Sequence, residues 1–271
     1  MKTRVITAAV LIPVLLLLLM VAPTIVAAIV WGLLLSVAAY ELLYCTGLVR
    51  EPRLVIHAAV MAFAVSIWSH YEAVHAFGQI GLMIFLGVLF TEMMLSHVKI
   101  TFDKLGMCVV AGCVIPFLLS SLIRILMISR IGRYMVLIPF VVAFCSDAGA
   151  YFAGRFFGRH KLAPVISQHK TIEGAIGGVI SAIAGMLIYC IILQFAFGFE
   201  VRYGFAIIYG LLGSLVGVFG DLCFSVVKRQ TGIKDYGKLI PGHGGVLDRF
   251  DSMMMVGPLM ESLLILIPLA V

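Results

Sequence analysis

Nine apolar runs, each close to the ~20 residues that a helix needs to cross a bilayer's hydrocarbon core, fill almost all of this 271-residue chain. They fall at residues 5–22, 23–44, 54–72, 78–96, 106–127, 134–153, 174–198, 203–227 and 252–271. A backbone in lipid must satisfy its own N–H and C=O groups, which leaves helices or closed barrels. No ten-residue apolar/polar alternation of the barrel kind occurs, so the spans are helices. Composition agrees: 63% of residues are hydrophobic and 12% charged, against about 25% charged in ordinary soluble domains. The sequence therefore predicts an all-α polytopic integral membrane protein with about nine transmembrane helices. It reads as a single membrane domain over 1–271. Residues 1–133 supply scaffold spans, and 134–256 form a chemically rich region with two long loops, 154–173 and 228–251.

Charge orients the chain. With the amino terminus in the cytoplasm, every one of the 19 Lys and Arg residues falls on the cytoplasmic side except Arg124, Arg130, Arg133 and Arg202, as the positive-inside rule requires. The net charge of +6 is then accounted for by anionic lipid heads and nucleotide phosphates, and no nucleic acid is implied. The opening Lys2, Arg4 and apolar run could pass for a signal peptide, but the run continues past Pro23 to Tyr44 without a convincing cleavage site. A retained anchor is expected. The absence of a targeting extension points to a bacterial plasma membrane. The six cysteines lie in or beside apolar runs without CxxC spacing, so they read as small hydrophobic filler. No internal repeat of 20–50 residues is visible, which argues against a transporter built from duplicated halves.

Asp221, in Gly220-Asp221-Leu222, lies about six residues before the cytoplasmic end of an apolar run, so roughly 9 Å below it. A carboxylate there costs about 2.5–3.5 kcal/mol. An internal salt bridge would offset this; a cation or substrate site is the sharper expectation. Asp248 and Asp251 are expected to open the last helix, their spacing of three placing both on one face. Helix-start electrostatics alone would suit either acid. Just before them, Pro241-Gly242-His243-Gly244-Gly245 would let backbone N–H groups approach an anion. Lys228, Arg229, Lys234 and Lys238 sit between the acids. Such a cluster is either a lipid-head anchor or, beside carboxylates, half of a Mg²⁺–phosphate site.

The other loop repeats this chemistry. Asp147 ends the sixth span, Arg155, Arg159, His160 and Lys161 follow, and then Ser167-Gln168-His169-Lys170-Thr171-Ile172-Glu173-Gly174. Ser167 or Thr171 is placed to cap the seventh helix, and Lys170 and Glu173 could form a surface pair. His160, His169 and His243 show no metal-binding spacing among themselves. Gly210, Gly213, Gly217 and Gly220 form one face of the eighth span, suited to tight helix packing and, less so, to dimerisation. No phosphate-loop GxxxxGK[ST], GxSxG elbow or HExxH helix occurs.

The stretch Ser225-Val226-Val227-Lys228-Arg229, then Lys234-Asp235, then Pro241 through Asp251, resembles the signature of the phosphatidate cytidylyltransferases. Asp147-Ala148-Gly149-Ala150-Tyr151 is similar to that family's Asp-x-x-Ala-Tyr segment. Residues 167–174 are similar to its S-P-x-K-T-x-E-G segment, with Gln168 in place of the proline. The resemblance covers roughly 135–256; the first 130 residues match only in being apolar. It implies conversion of CTP and phosphatidate into CDP-diacylglycerol and pyrophosphate at the cytoplasmic face, with Mg²⁺ and room for a second cation. It implies metal-holding roles for Asp221 and Asp248, supporting roles for Asp147 and Glu173, and phosphate binding by Lys170, Lys228, Arg229 and Arg249. His243, Gly244 and Gly245 fall in its nucleotide-binding turn. Asp221, Asp248, Lys228 and Arg249 would form the catalytic set. The alternatives are a CTP-dependent lipid kinase, which would release CDP, and a cation-coupled transporter using Asp221 as its ion site.

Overall fold

The structure, a computed structural model, describes residues 13–71, 75–97, 99–128, 131–240, 242 and 244–270. It is helical throughout apart from one hairpin and a few irregular turns. Seven helical segments among the described residues are long and apolar enough to cross a membrane: Thr24–Cys45, Pro52–His70, Gly78–Leu95, Phe102–Met127, Gly132–Phe157, Ile172–Phe197 and Tyr203–Thr231. They correspond to the second through eighth predicted runs. The last run contains a shorter apolar helix, Met253–Leu266. Most of the first lies outside the described residues, only 13–20 being seen, as a helix.

The chain divides into two compact units. The first comprises Met1–Met127 and Gln230–Phe250, the second Ile128–Arg229 and Asp251–Val271.

In the first unit, α1 (residues 13–20) precedes α2 (Thr24–Tyr40), which runs directly into a π-helical turn, Glu41–Cys45. Next come α3 (Pro52–His70) and α4 (His75–Leu95). Helices α2 and α3 are joined by hydroxyls that bond across to backbone: Ser36 Oγ donates to the Ala59 carbonyl at 2.8 Å and Ser66 Oγ to the Ala28 carbonyl at 2.8 Å. Such bonds hold helices together where lipid offers no hydrophobic driving force. The predicted run 106–127 is interrupted. It comprises α5 (Phe102–Val109), a π turn at Val110–Val114, α6 (Ile115–Leu119) and α7 (Ser121–Met127). Pro116 lacks an amide proton and crowds the preceding turn, so the helix relaxes just before it. Trp31 is buried, donates to the Leu119 carbonyl at 3.1 Å, and meets the Phe250 ring edge-on at 4.9 Å.

In the second unit, α8 (Gly132–Met135) leads to α9 (Ile138–Phe157), which packs lengthwise along α10 (Ile172–Phe197). Gly149 permits that approach, since a Cβ there would meet the Ser181 side chain and the Gly177 carbonyl oxygen. Between α9 and α10 the predicted loop is an antiparallel hairpin, β1 (Lys161–Ala163) with β2 (Ser167–Thr171), pairing Lys161 with Thr171 and Ala163 with Ser167. Helix α11 (Tyr203–Thr231) follows, and α12 (Met253–Leu266) returns. The predicted glycine face of α11 is the packing face. A Cβ on Gly210 would lie 2.6 Å from the Ile183 Cα in α10, on Gly213 2.6 Å from Val142 in α9, and on Gly217 3.1 Å from Val256 in α12.

Asp248 and Asp251 do not share a helical face as expected. Residues Leu247–Arg249 form a 3-10 turn, Phe250 leaves the helical region (φ −120°, ψ 14°), and α12 begins only at Met253. The two acids consequently belong to different units.

Candidate active site

Two constellations carry the polar chemistry, one in each unit. In the second unit, Thr171 ends the hairpin and caps α10, its Oγ1 accepting the Gly174 N–H at 3.1 Å. That fixes Lys170, whose ammonium pairs with the Asp221 carboxylate on α11 and reaches the Val218 carbonyl at 3.4 Å. One turn along α11, Ser225 Oγ donates to Asp221 Oδ1 at 3.4 Å. The next turn presents Lys228, with Nζ 4.0 Å from Asp251 Oδ2; both side chains are mostly covered. Gly220 makes this possible, since it lets α11 approach the Asp251 carbonyl so closely that a Cβ would stand 3.0 Å from it.

Asp251 reports the electrostatics. Burial first, then the neighbouring charges of Asp221 and Asp147, push its carboxyl from an ordinary 3.8 up to about 6. The Ser252 N–H, donated to Oδ1 at 2.8 Å, and Lys228 pull the other way. Asp221 on α11 and Asp147 on α9 thus both bear on Asp251, with Lys228 opposing them. Asp147 on α9 is exposed. Among the described residues no three His, Cys, Asp or Glu side chains converge into a ready-made metal cage.

The hairpin adds cations and is itself braced. Arg229 Nε donates to the Ile166 carbonyl at 3.1 Å, tying the hairpin tip to α11. Lys161 Nζ donates to the Gln168 carbonyl at 2.7 Å, a backbone acceptor that proline would supply equally. Glu173 does not pair with Lys170. Its carboxylate accepts the backbone N–H groups of Arg159 (3.1 Å) and His160 (3.2 Å) and lies 2.6 Å from His160 Nδ1, shaping the turn into the hairpin.

In the first unit, residues 232–250 carry the glycine-rich segment. Gly242 and Gly244 take left-handed φ values of 77° and 86°, which glycine adopts without strain, and Ile240 bridges back to Gly244. His243, expected in the nucleotide-binding turn, lies outside the described residues. Arg249 is exposed at the end of the 3-10 turn. Of the N–H groups expected to face an anion, that of Gly245 already meets a carboxylate of the chain's own, as do three of its neighbours in the loop. Asp248, buried, accepts the N–H of Tyr236 at 2.8 Å and of Gly245 at 3.0 Å through Oδ2. Glu41 accepts the N–H of Val246 at 3.1 Å and of Leu247 at 2.9 Å.

Glu41 was missed in the sequence reading, which treated the first 130 residues as scaffold. The signal existed: it is the one acid in the run 23–44, and an ionisable residue inside a span is by default a candidate for function.

Fold and site together describe a polytopic helical membrane protein with two lysine–carboxylate pairs along α11 and a carboxylate-braced, glycine-rich loop. The sequence profile of the Cytidylyltransferase family matches residues 2–267, and the chain belongs to that family. The match takes in the amino-terminal spans, well beyond the 135–256 stretch in which the resemblance was first visible. The chain is similar to the phosphatidate cytidylyltransferase of Staphylococcus haemolyticus (strain JCSC1435), 46% identical over 134 residues, or 49% of this chain and 50% of that protein. It is also similar to the protein of that name from Staphylococcus aureus (strain COL), 44% identical over 134 residues with the same coverage. The one from Bacillus subtilis (strain 168) is 36% identical over 179 residues, covering 66% of this chain and 65% of that protein. The matched segment thus spans about half the length of the staphylococcal relatives.

Proposed function

We propose that this chain transfers the cytidylyl group of CTP to phosphatidate, releasing pyrophosphate and leaving CDP-diacylglycerol in a bacterial plasma membrane. The observation that carries the reading is the paired cluster Lys170–Asp221 and Lys228–Asp251, within a chain of the Cytidylyltransferase family. A lipid substrate arrives sideways from the bilayer and CTP from the cytosol, so the chemistry belongs at the cytoplasmic interface. A phosphatidate oxygen attacks the α-phosphorus of CTP, a new P–O bond forms, and the bond to pyrophosphate breaks with its electrons leaving on the pyrophosphate. A phosphate monoester needs little help from a general base. The demand is to bring two anions into line and neutralise the leaving group. Lys170, Lys228, Arg229 and Arg249 supply cations for that purpose.

The acids fit Mg²⁺ brought with the nucleotide. Burial first, and then the charges of Asp221 and Asp147, push Asp251 up to about 6; a cation would relieve the part of this that is repulsion. That no three-ligand cage occurs among the described residues is compatible with a metal that retains waters and shares one or two carboxylates with substrate phosphates. Within the second unit Asp221 is the proposed holder, with Asp147 and Asp251 in support; Asp248, in the first unit, is a separate candidate for holding a cation. Glu173 contributes by shaping the hairpin. When bound, Mg²⁺ would offset charge on the triphosphate oxygens.

The test is a purified-protein assay with labelled CTP and either phosphatidate or diacylglycerol, with and without Mg²⁺. The expected result is pyrophosphate release that depends on both phosphatidate and Mg²⁺. Release of CDP with diacylglycerol as acceptor would replace this reading with a lipid kinase.

A further inference from the structure

Glu41 closes the first fully described span, where it opens the π-helical turn Glu41–Cys45. Single π turns are rare in α-helices and lie frequently at functional sites. Here the Glu41 side chain is almost fully buried, at 2% exposure. Its two carboxylate oxygens each take one backbone N–H, Oε1 from Val246 and Oε2 from Leu247, across more than 200 residues of sequence. Charge-assisted bonds of this kind are about twice as strong as neutral ones.

Two glycines make room for this carboxylate. Gly237 and Gly245 do not need glycine for their backbone conformation, since neither has a left-handed φ. A Cβ at Gly245 would stand 2.5 Å from both Glu41 oxygens, and one at Gly237 would collide with Oε1. The same loop hangs on Asp248 through Tyr236 and Gly245. The loop backbone is therefore folded around two carboxylates, one of its own and one from a distant span.

We propose that Glu41 is a positioning residue for the loop 236–249. It touches no substrate; it fixes the backbone that presents Asp248 and Arg249. The inference rests on reading this loop as part of the nucleotide site.

The test uses the full chain in detergent micelles and two variants. Glu41→Gln keeps the shape but offers one oxygen and one NH₂, so one of the two loop N–H groups faces a donor. Gly237→Ala keeps Glu41 and forces its carboxylate aside. Hydrogen exchange of the peptide carrying Val246 and Leu247 should accelerate about tenfold in both, while α3 and α5–α7 keep wild-type protection. The KM for CTP should rise on the order of 10-fold to 100-fold, with kcat changing far less. Glu41→Asp should restore part of both effects. Unchanged loop exchange in both variants would overturn the inference. So would a uniform rise in exchange across α2, α3 and the loop, which would make Glu41 a general packing residue. A wild-type protein that lacks cytidylyltransferase activity would sink the proposed function instead, with the exchange arm still deciding whether Glu41 orders the loop.

Discussion

Lys170, the penultimate residue of β2, places its ammonium on the carboxylate of Asp221, 51 positions later on α11. The pair joins the hairpin to α11, with the whole of α10 lying between them in sequence. It also meets the cost of a carboxylate near a lipid-crossing helix, which the bland salt-bridge reading of Asp221 would do as well.

The two readings part on a double variant. Lys170→Met with Asp221→Asn removes both charges, so a purely structural pair should leave activity near wild type, because nothing is left buried and unpaired. If the two side chains bind substrate phosphate and its cation, the double variant should lose about 100-fold or more in kcat while inserting and melting normally. Initial rates over CTP and Mg²⁺ titrations check this. Rates near wild type would return Asp221 to a structural role.

Asp251 predicts a pH dependence of stability. Its folded carboxyl titrates near 6 against an ordinary 3.8, so between those values the folded state holds a proton that the unfolded state has released. The contribution is fully present below about pH 4 and is lost as pH rises through about 6. In Mg²⁺-free detergent solution, the wild-type melting temperature should fall over that window relative to Asp251→Asn. Added Mg²⁺ should raise the wild-type melting temperature more at pH 7 than at pH 5, since only the ionised cluster attracts it. Parallel pH profiles for wild type and variant would remove Asp251 from the cluster.

Much of this arrangement was legible before the structure. Seven of the predicted runs appear as spanning helices, because run length against bilayer thickness is a strong constraint. The stripe Gly210–Gly220 packs as read, and Thr171 caps α10. Three features were not legible, each for a physical reason. The short hairpin at 161–171 has no clear alternation, so only its pairing geometry reveals it. The i, i+3 rule applied to Asp248 and Asp251 presupposes a helix that the 3-10 turn and Phe250 interrupt. Glu41 was visible as a lone acid, but nothing local indicates that its partners are the N–H groups of Val246 and Leu247.

The glycine stripe on α11 predicts a division between stability and activity. At Gly210 an added methyl meets backbone of α10 at 2.6–3.0 Å, and backbone in a packed helix cannot yield. Gly210→Ala should destabilise by about 1–3 kcal/mol and lower the melting temperature with little effect on KM. At Gly220 the added methyl meets the Asp251 carbonyl and the Met255 side chain at 3.0–3.3 Å, so modest movement relieves it. That movement displaces Asp251, so Gly220→Ala should cost more activity than stability. Thermal melts and rates of the two variants side by side decide the matter; the reverse ordering would detach Gly220 from the site.

Asp248 allows its structural and chemical roles to be separated. Its Oδ2 satisfies two buried N–H groups, those of Tyr236 and Gly245. Asp248→Ala abandons both, and leaving a buried donor unsatisfied costs about 1–3 kcal/mol each, so this variant should loosen the loop and lose activity together. Asp248→Asn keeps an acceptor oxygen that can turn toward the same two donors while losing the charge. If Asp248 helps to hold a cation, the Asn variant should keep wild-type hydrogen exchange across residues 236–249 but need far more Mg²⁺ for half-maximal rate, or show no measurable turnover. If its part is only to tie the loop, activity should follow loop protection: near wild type for Asn, poor for Ala. Exchange and Mg²⁺ titration on the same two preparations distinguish these outcomes, and an Asn variant with wild-type protection and wild-type Mg²⁺ dependence would strike Asp248 from the metal-holding set.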